Sequence, residues 1–211
     1  MNREIFLIRH SESMKNVNGL FGDDKIICNL TEKGISDTII LANTIKSIVC
    51  ENSNPYFFYS SPDDRTTTTT NILTTLLNTN FKIIHSLVPI NAGALSGMSE
   101  EKAIIDYPDL IKKIKLYREE KINGYSISYP NGENVKDFQE RIVNDFLNVL
   151  SENSKNFFLI THQSVITALL SFFYSELNGY NYYYYFKLAL SSLTKILQID
   201  NKLKIVSINI T

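Results

Sequence analysis

Cysteine is nearly missing from this chain. Cys28 and Cys50 are its only two, and their wide spacing supports neither a disulfide framework nor a zinc site. A reducing, cytoplasmic setting is expected from this, and no metal and no other cofactor. An excess of charge of one sign is missing as well: 21 Lys and Arg stand against 22 Asp and Glu, a net charge of −1. Bulk electrostatics therefore gives no reason to expect a nucleic-acid or membrane partner, and any anion site must be built from a few placed basic residues. No apolar run is long enough to span a bilayer. Met1-Asn2-Arg3-Glu4 leads into a short apolar stretch without the long hydrophobic region of a secretory signal. Internal repeats and linkers are also lacking. What is present, 44% hydrophobic and 20% charged residues, is ordinary globular composition. A length of 211 residues suits one domain over 1–211 and is short for two. The oligomeric state is left open.

Glu4 to Ile8 is a short apolar run that reads as a buried strand, ending at Arg9-His10. Residues 11–29 are polar and punctuated by glycine, hence a loop. A helix follows from Thr31, its N-cap region, carrying Ile39, Ile40, Leu41, Ile45 and Ile48. Tyr56 to Ser60 reads as a second strand. A helix then starts at Ser61-Pro62, contains Arg65 and ends near Leu77. Its threonine run, Thr66 to Thr70, costs helix propensity, so tertiary contacts must hold it. Phe81 to His85 is a third strand, and Ala92 to Gly97 a loop. Ser99 to Lys121 reads as irregular, charged helices forming a small cap. After a turn at Pro130-Asn131-Gly132, Asn134 caps a helix with Val135, Phe138, Ile142, Phe146, Leu147 and Leu150 on its apolar stripe. Phe157 to Ile160 is a buried strand ending at Thr161-His162, followed by a helix with Val165, Ile166, Leu169 and Leu170. Leu193 to Ile210 reads as a closing hairpin around Asp200-Asn201-Lys202. This order gives a three-layer α/β fold: a mostly parallel central sheet, flanking helices and a small helical cap insertion.

Ligands of open α/β sheets bind beyond the carboxyl ends of the strands. Three strands here end in residues suited to phosphate: Arg9-His10, Ser60-Ser61-Pro62 with Arg65 one turn on, and Thr161-His162. Two histidines and two arginines at one sheet edge make a cationic pocket with one ring free to attack. A neutral imidazole is a competent nucleophile. Two guanidinium forks and a second imidazole can hold the three equatorial oxygens of a phosphoryl group.

Arg9-His10-Ser11-Glu12-Ser13-Met14-Lys15-Asn16 resembles the Arg-His-Gly-Glu-Thr-x-x-Asn signature of the histidine phosphatase superfamily, the phosphoglycerate mutase-like proteins. Leu30-Thr31-Glu32-Lys33-Gly34, Ser60-Ser61-Pro62-Asp63-Asp64-Arg65, Gly132-Glu133-Asn134 and Thr161-His162-Gln163 resemble four further motifs of that family, in the same order. Within it, Ile90-Asn91-Ala92-Gly93, Gly97-Met98-Ser99 and Tyr129-Pro130-Asn131-Gly132-Glu133 look most like the fructose-2,6-bisphosphatase branch. The resemblance implies a phosphatase of small phosphorylated molecules that needs no metal or nucleotide. His10 would be the phosphorylated residue, with Arg9, Arg65 and His162 binding the phosphoryl group. Ser11, Asn16, Gly22 and Gln163 would contact substrate.

The chain departs from the family in four places. Ser11 replaces a glycine and would add a hydroxyl near the phosphate. Thr167 and Asn131 stand where the bisphosphatase branch has an Arg and a Lys, which weakens the case for a second phosphate. Pro89 stands where the family's proton-donating Glu would be, four residues before Gly93. Asp23, Asp24, Glu100 and Glu101 are candidate substitutes for that acid. The alternatives are a cofactor-dependent phosphoglycerate mutase-type activity, or a weakened member that binds phosphoryl ligands or a protein. Other features have plainer readings: Glu133 as the brace of a turn or an Arg, His85 as structural or exposed, and Tyr180 to Phe186 as a cap surface or a crossover packing on the core rather than a hydrophobic docking patch.

Overall fold

The first strand shows where the core lies. The computed structural model describes residues 2–22, 29–51, 54–200 and 202–210; in it β1 (Asn2–Arg9) buries Ile5, Phe6, Leu7 and Ile8 without a break. A strand covered on both faces needs no polar alternation and belongs inside a sheet. The other described strands are β2 (Tyr56–Ser60), β3 (Phe81–Ile83), β4 (Asn156–Thr161), β5 (Leu193–Ile199) and β6 (Lys202–Ile210). They form one sheet in the order β3-β2-β4-β1-β5-β6. The β1–β4, β2–β4 and β2–β3 pairs are parallel, and β5 is antiparallel to both β1 and β6. β5 is thus the one reversed strand, and the sheet is mostly parallel as expected.

Side chains alternate across the sheet and give each face its own core. Phe6, Ile8, Phe158 and Ile160 point to the side covered by α2 (Glu32–Cys50) and α3 (Asp64–Leu76), where they meet Leu41, Ile45 and Leu73. Phe158 stacks on Phe6 and on Phe58, each at 4.9 Å between ring centroids. Ile5, Leu7, Phe157 and Leu159 point to the opposite side, under α6 (Val135–Glu152) and α7 (Gln163–Asn178). Burying one such Phe, Leu or Ile contributes about 1.5–3 kcal/mol, so the two layers account for most of the drive to fold. α4 (Glu100–Asp106) and α5 (Pro108–Arg118) form the small cap. The aromatic run packs inward there through Tyr183, which is buried with its ring 5.8 Å from those of Tyr117 and Tyr125, whereas Tyr180 is exposed.

Several boundaries differ from those read in the sequence. The loop after β1 holds a short helix, α1 (Met14–Val17). α3 begins at Asp64 rather than at Pro62, because Asp63 is the N-cap and its carbonyl takes the amides of Thr66 and Thr67. β3 stops at Ile83: its one partner among the described residues, β2, ends at Ser60, opposite Ile83, and the Ile84 amide closes the ladder on the Ser60 carbonyl. Ile39 and Ile40 of α2 and Leu147 of α6 are exposed, Ile40 at 62%. The caps expected at Thr31 and Asn134 are formed, their side chains accepting from the Gly34 and Asp137 amides. Asn201, expected in the closing turn, lies outside the described residues, as do Asp23, Asp24 and Cys28.

Candidate active site

Strand register brings the candidate residues level. Arg9 sits opposite Thr161, and Ser60 opposite Ile160, so β1, β2 and β4 end at one edge. Backbone bonds fix the residues just past those ends: the His10 amide donates to the Thr161 carbonyl (2.9 Å), and the Ser61 amide to the Ile160 carbonyl (3.0 Å). The Ser61 hydroxyl lies 2.7 Å from Thr161 Oγ1 and donates to the Leu87 carbonyl. α2 supports the loop beyond His10. The Thr31 hydroxyl donates to Glu12 Oε1 (2.8 Å) and the Thr31 amide to the Glu12 carbonyl (3.0 Å). Gly34 allows that approach, since a Cβ there would fall 2.1 Å from the Glu12 carbonyl oxygen.

His10 is only 4% exposed. Its Nδ1 lies 2.8 Å from the Ser11 carbonyl oxygen. A carbonyl only accepts, so Nδ1 carries the hydrogen and Nε2 keeps its lone pair. Burial, then the neighbouring His162 and Arg65, holds the ring's pKa well below the usual imidazole value, and Arg9 adds to this. The Ser11 hydrogen bond opposes the shift without cancelling it. The ring is therefore neutral near neutral pH, with a nucleophilic nitrogen available.

The cations stand around it. Arg65, 2% exposed, donates from Nη2 to His162 Nδ1 (3.1 Å) and to Asp63 Oδ2 (3.2 Å). A guanidinium has no acceptor, so His162 Nδ1 must be the accepting nitrogen and its hydrogen sits on Nε2. Asp63 Oδ2 lies 2.8 Å from that Nε2, in ion-pair reach but not aligned as a hydrogen bond. The His10 and His162 rings meet edge to face, 5.4 Å between centroids. Arg9 donates from Nη1 to the Leu188 carbonyl (2.6 Å). Burial lowers its pKa to about 10, with Tyr185 opposing and Arg65 reinforcing, so it stays charged at neutral pH.

Arg9, His10, Arg65 and His162 are thus brought together, and the other expected residues are placed unevenly. Gln163 lies beside His162 and donates to the Tyr185 hydroxyl (3.1 Å). Asn16 lines a polar cleft of about 290 Å³ with Arg9, Lys15, Glu100 and Arg118. Its side-chain oxygen also accepts from the Ser13 amide and hydroxyl. The Ser11 hydroxyl is fully buried between those of Thr38 (2.6 Å) and Ser191 (2.7 Å), so it ties α2 to the chain before β5. Gly22 lines neither the polar cleft nor the cavity beside Gln163; it packs against Ser96 and Ala92 at a φ of +66°. Glu133 braces Arg141 at 2.9 and 3.1 Å and accepts the Asn91 amide. His85 is exposed. Of the candidate acids, Glu100 lines the polar cleft, whereas Glu101 is exposed outside it. Among the described residues, no group of three His, Cys, Asp or Glu side chains is placed to hold a metal ion.

Asp63 was not anticipated. Its one signal in the sequence is an acid inside Ser-Ser-Pro-Asp-Asp-Arg, two residues before Arg65. Tyr185 and the Leu188 carbonyl, which set Arg9, gave none.

Comparison with known proteins shows the family. The family model described as "Histidine phosphatase superfamily (branch 1)" matches residues 5–211. The mouse and human proteins named 6-phosphofructo-2-kinase/fructose-2,6-bisphosphatase 1 are 27% identical over 171 residues, 81% of this chain. The chain spans about a third of the length of these relatives, 32%. Among solved structures, "Mycobacterial hydrolase 1" superposes with a TM-score of 0.81 at 15% identity, covering 100% of both chains. A putative alpha-ribazole-5'-P phosphatase from Escherichia coli gives 0.75 at 18% identity, over 99% of this chain and 96% of that one. A phosphoserine phosphatase mutant from Entamoeba histolytica gives 0.73 at 17%, over 98% and 96%. These superpositions establish the shared fold.

Proposed function

The chain belongs to the histidine phosphatase superfamily, branch 1, and on that premise we propose that it is a phosphatase of small phosphorylated molecules working through a phosphohistidine at His10. The observation that carries this reading is the His10 tautomer: Nδ1 is tied to the Ser11 carbonyl, which leaves Nε2 as the nucleophile beside Arg9, Arg65 and His162. Nε2 attacks phosphorus as the ester oxygen leaves with the bonding pair. Arg9, Arg65 and the His162 ring bind the phosphoryl oxygens as charge spreads over them. Asn16 and Gln163 hold the rest of the substrate. Water then attacks the phosphohistidine, releasing phosphate and restoring the neutral ring. The reaction draws on no metal and no nucleotide.

A screen of phosphorylated metabolites and phosphopeptides, run with wild type and His10→Ala in parallel, tests the proposal. Hydrolysis of at least one substrate that disappears in the variant is the expected result; hydrolysis that survives the substitution contradicts it.

Two observations favour a second reading, a member that binds phosphoryl ligands but turns them over weakly. Pro89 occupies the expected acid position, and Asp63 already contacts Arg65 and His162, two of the three groups proposed to hold phosphate. Wild type that binds phosphate or vanadate yet cleaves nothing in the screen would select this reading.

A further inference from the structure

A second cavity, of about 260 Å³, lies between the cap and the start of α7, and Gln163 on its wall is the residue after His162. Tyr117, Tyr129, Tyr183 and Tyr185 make up much of its lining. They hold one another in place: the Tyr117 ring stands edge-on to Tyr185, 5.4 Å between centroids, and tilted against Tyr183 at 5.8 Å. The Tyr117 hydroxyl is committed to the Tyr184 carbonyl (3.0 Å). The Tyr185 hydroxyl takes the Gln163 amide, and Tyr185 also lies close enough to Arg9 to act on its charge, which sets the cavity beside that residue.

Thr167, one helical turn after Gln163 on the same face of α7, also lines this cavity. It is 4% exposed, and among the described residues its hydroxyl has no hydrogen-bond partner. That is unusual for a helical threonine, whose hydroxyl commonly returns to the carbonyl four residues earlier; Thr69, Thr70 and Thr74 of α3 all do so. A buried, unsatisfied hydroxyl on the wall of a cavity is placed to hydrogen-bond an occupant of that cavity.

Resting on the phosphatase reading above, we infer that this cavity receives the leaving group, and that the substrate class is a phosphomonoester of an aromatic hydroxyl compound carrying a hydrogen-bonding group on the side of the ring away from the phosphate. Flat, rigid tyrosine walls favour a ring by edge-to-face and offset contact. Thr167 Oγ1 meets the polar substituent. The vacant acid position at Pro89 fits the same substrate, because a phenolate is a far better leaving group than an alkoxide and has less need of a proton. Arg118 touches both this cavity and the polar cleft, so a second anion is the competing recognition element.

Phosphonates separate binding from leaving-group chemistry, since their phosphorus–carbon bond is not cleaved. Calorimetric titration of the wild-type chain with benzylphosphonate, para-hydroxybenzylphosphonate, propylphosphonate and phosphonopropanoate is the test. The ring should bind at least about tenfold more tightly than the propyl chain. Thr167→Val should leave benzylphosphonate within about twofold and remove an about fivefold advantage of its hydroxylated form. Benzylphosphonate binding no better than propylphosphonate, or phosphonopropanoate binding best, would overturn the inference; if Thr167→Val fails to fold, the wild-type comparison still decides. A lost ring preference with His10-dependent hydrolysis intact rejects the cavity assignment alone. A clear ring preference without hydrolysis of any substrate rejects the phosphatase reading and leaves the cavity assignment standing.

Discussion

At the scale of residues, the account turns on protons and charges that a few side chains fix. Nitrogen NMR of the His10 ring, assigned with His10→Ala, should show the neutral Nδ1–H form from pH 8 down through 6.5. The sign follows from the cause: burial and nearby cations destabilise the imidazolium, so protonation waits for pH well below the ordinary value. A midpoint at or above 6.5 would contradict it. Asp63 gives a second prediction. Its carboxylate lies against Arg65 and His162, where a phosphate dianion would meet it as a like charge. Asp63→Asn should therefore tighten inhibition by vanadate or phosphate by about tenfold, equivalent to about 1.4 kcal/mol. Weaker inhibition would show that Asp63 instead orients the cradle. Arg9, His10, Arg65 and His162 were legible in the sequence because each stands at a strand end or one helical turn beyond it. The contact of Asp63 with His162 was not, because it depends on α3 beginning after Pro62 and on side-chain rotamers that spacing does not encode.

At the scale of elements, α3 joins helix stability to site geometry. Thr69 Oγ1 donates to the Arg65 carbonyl and accepts the Ser11 amide, linking the helix to the residue after His10. Thr69→Val would leave a buried amide unsatisfied, and urea unfolding should show a loss of about 1–3 kcal/mol, with Thr69→Ser largely preserving stability. No loss on Thr69→Val would mean the amide has another partner. The threonine run thus reads correctly as a helix held by tertiary contacts, but the sequence did not show that the hydroxyls of Thr66, Thr69 and Thr70 are buried and bonded to carbonyls one turn earlier. The stripe on α6 was legible; Ile39, Ile40 and Leu147 were misread because isoleucine and leucine also occupy the solvent sides of α2 and α6. The segment containing Pro89 carries its own prediction. Without an acid there, rates across a series of monoesters should fall steeply as leaving-group pKa rises. Pro89→Glu should flatten that slope and raise the rate on alkyl esters. A flat slope in wild type would point to another acid, with Glu100 in the polar cleft the first to change.

At the scale of the whole molecule, burying a neutral histidine at the meeting point of β1 and β4 links the site to stability. The unfolded chain takes up a proton on His10 below about pH 6.5, which the native state refuses. The native state is therefore undiminished above that pH and loses up to about 1.4 kcal/mol per pH unit below it. His10→Gln should unfold with a shallower pH dependence between pH 6.5 and 5 in urea titrations; an unchanged dependence would contradict this. The three-layer plan and the predominance of parallel strands could be read from the chain, because strand and helix runs alternate up to the final hairpin. The order of strands could not: nothing local tells β1 to lie between β4 and β5. Yet that order sets Arg9-His10 beside Thr161-His162, and the chemistry proposed for the site depends on it. The central claim is the covalent intermediate, and its most direct test is mass spectrometry, under conditions that avoid acid, of the protein quenched during turnover of an aryl phosphate. The account predicts an acid-labile, base-stable phosphoryl adduct on His10 that His10→Ala lacks. An adduct on another residue, or turnover that persists in His10→Ala, would contradict it.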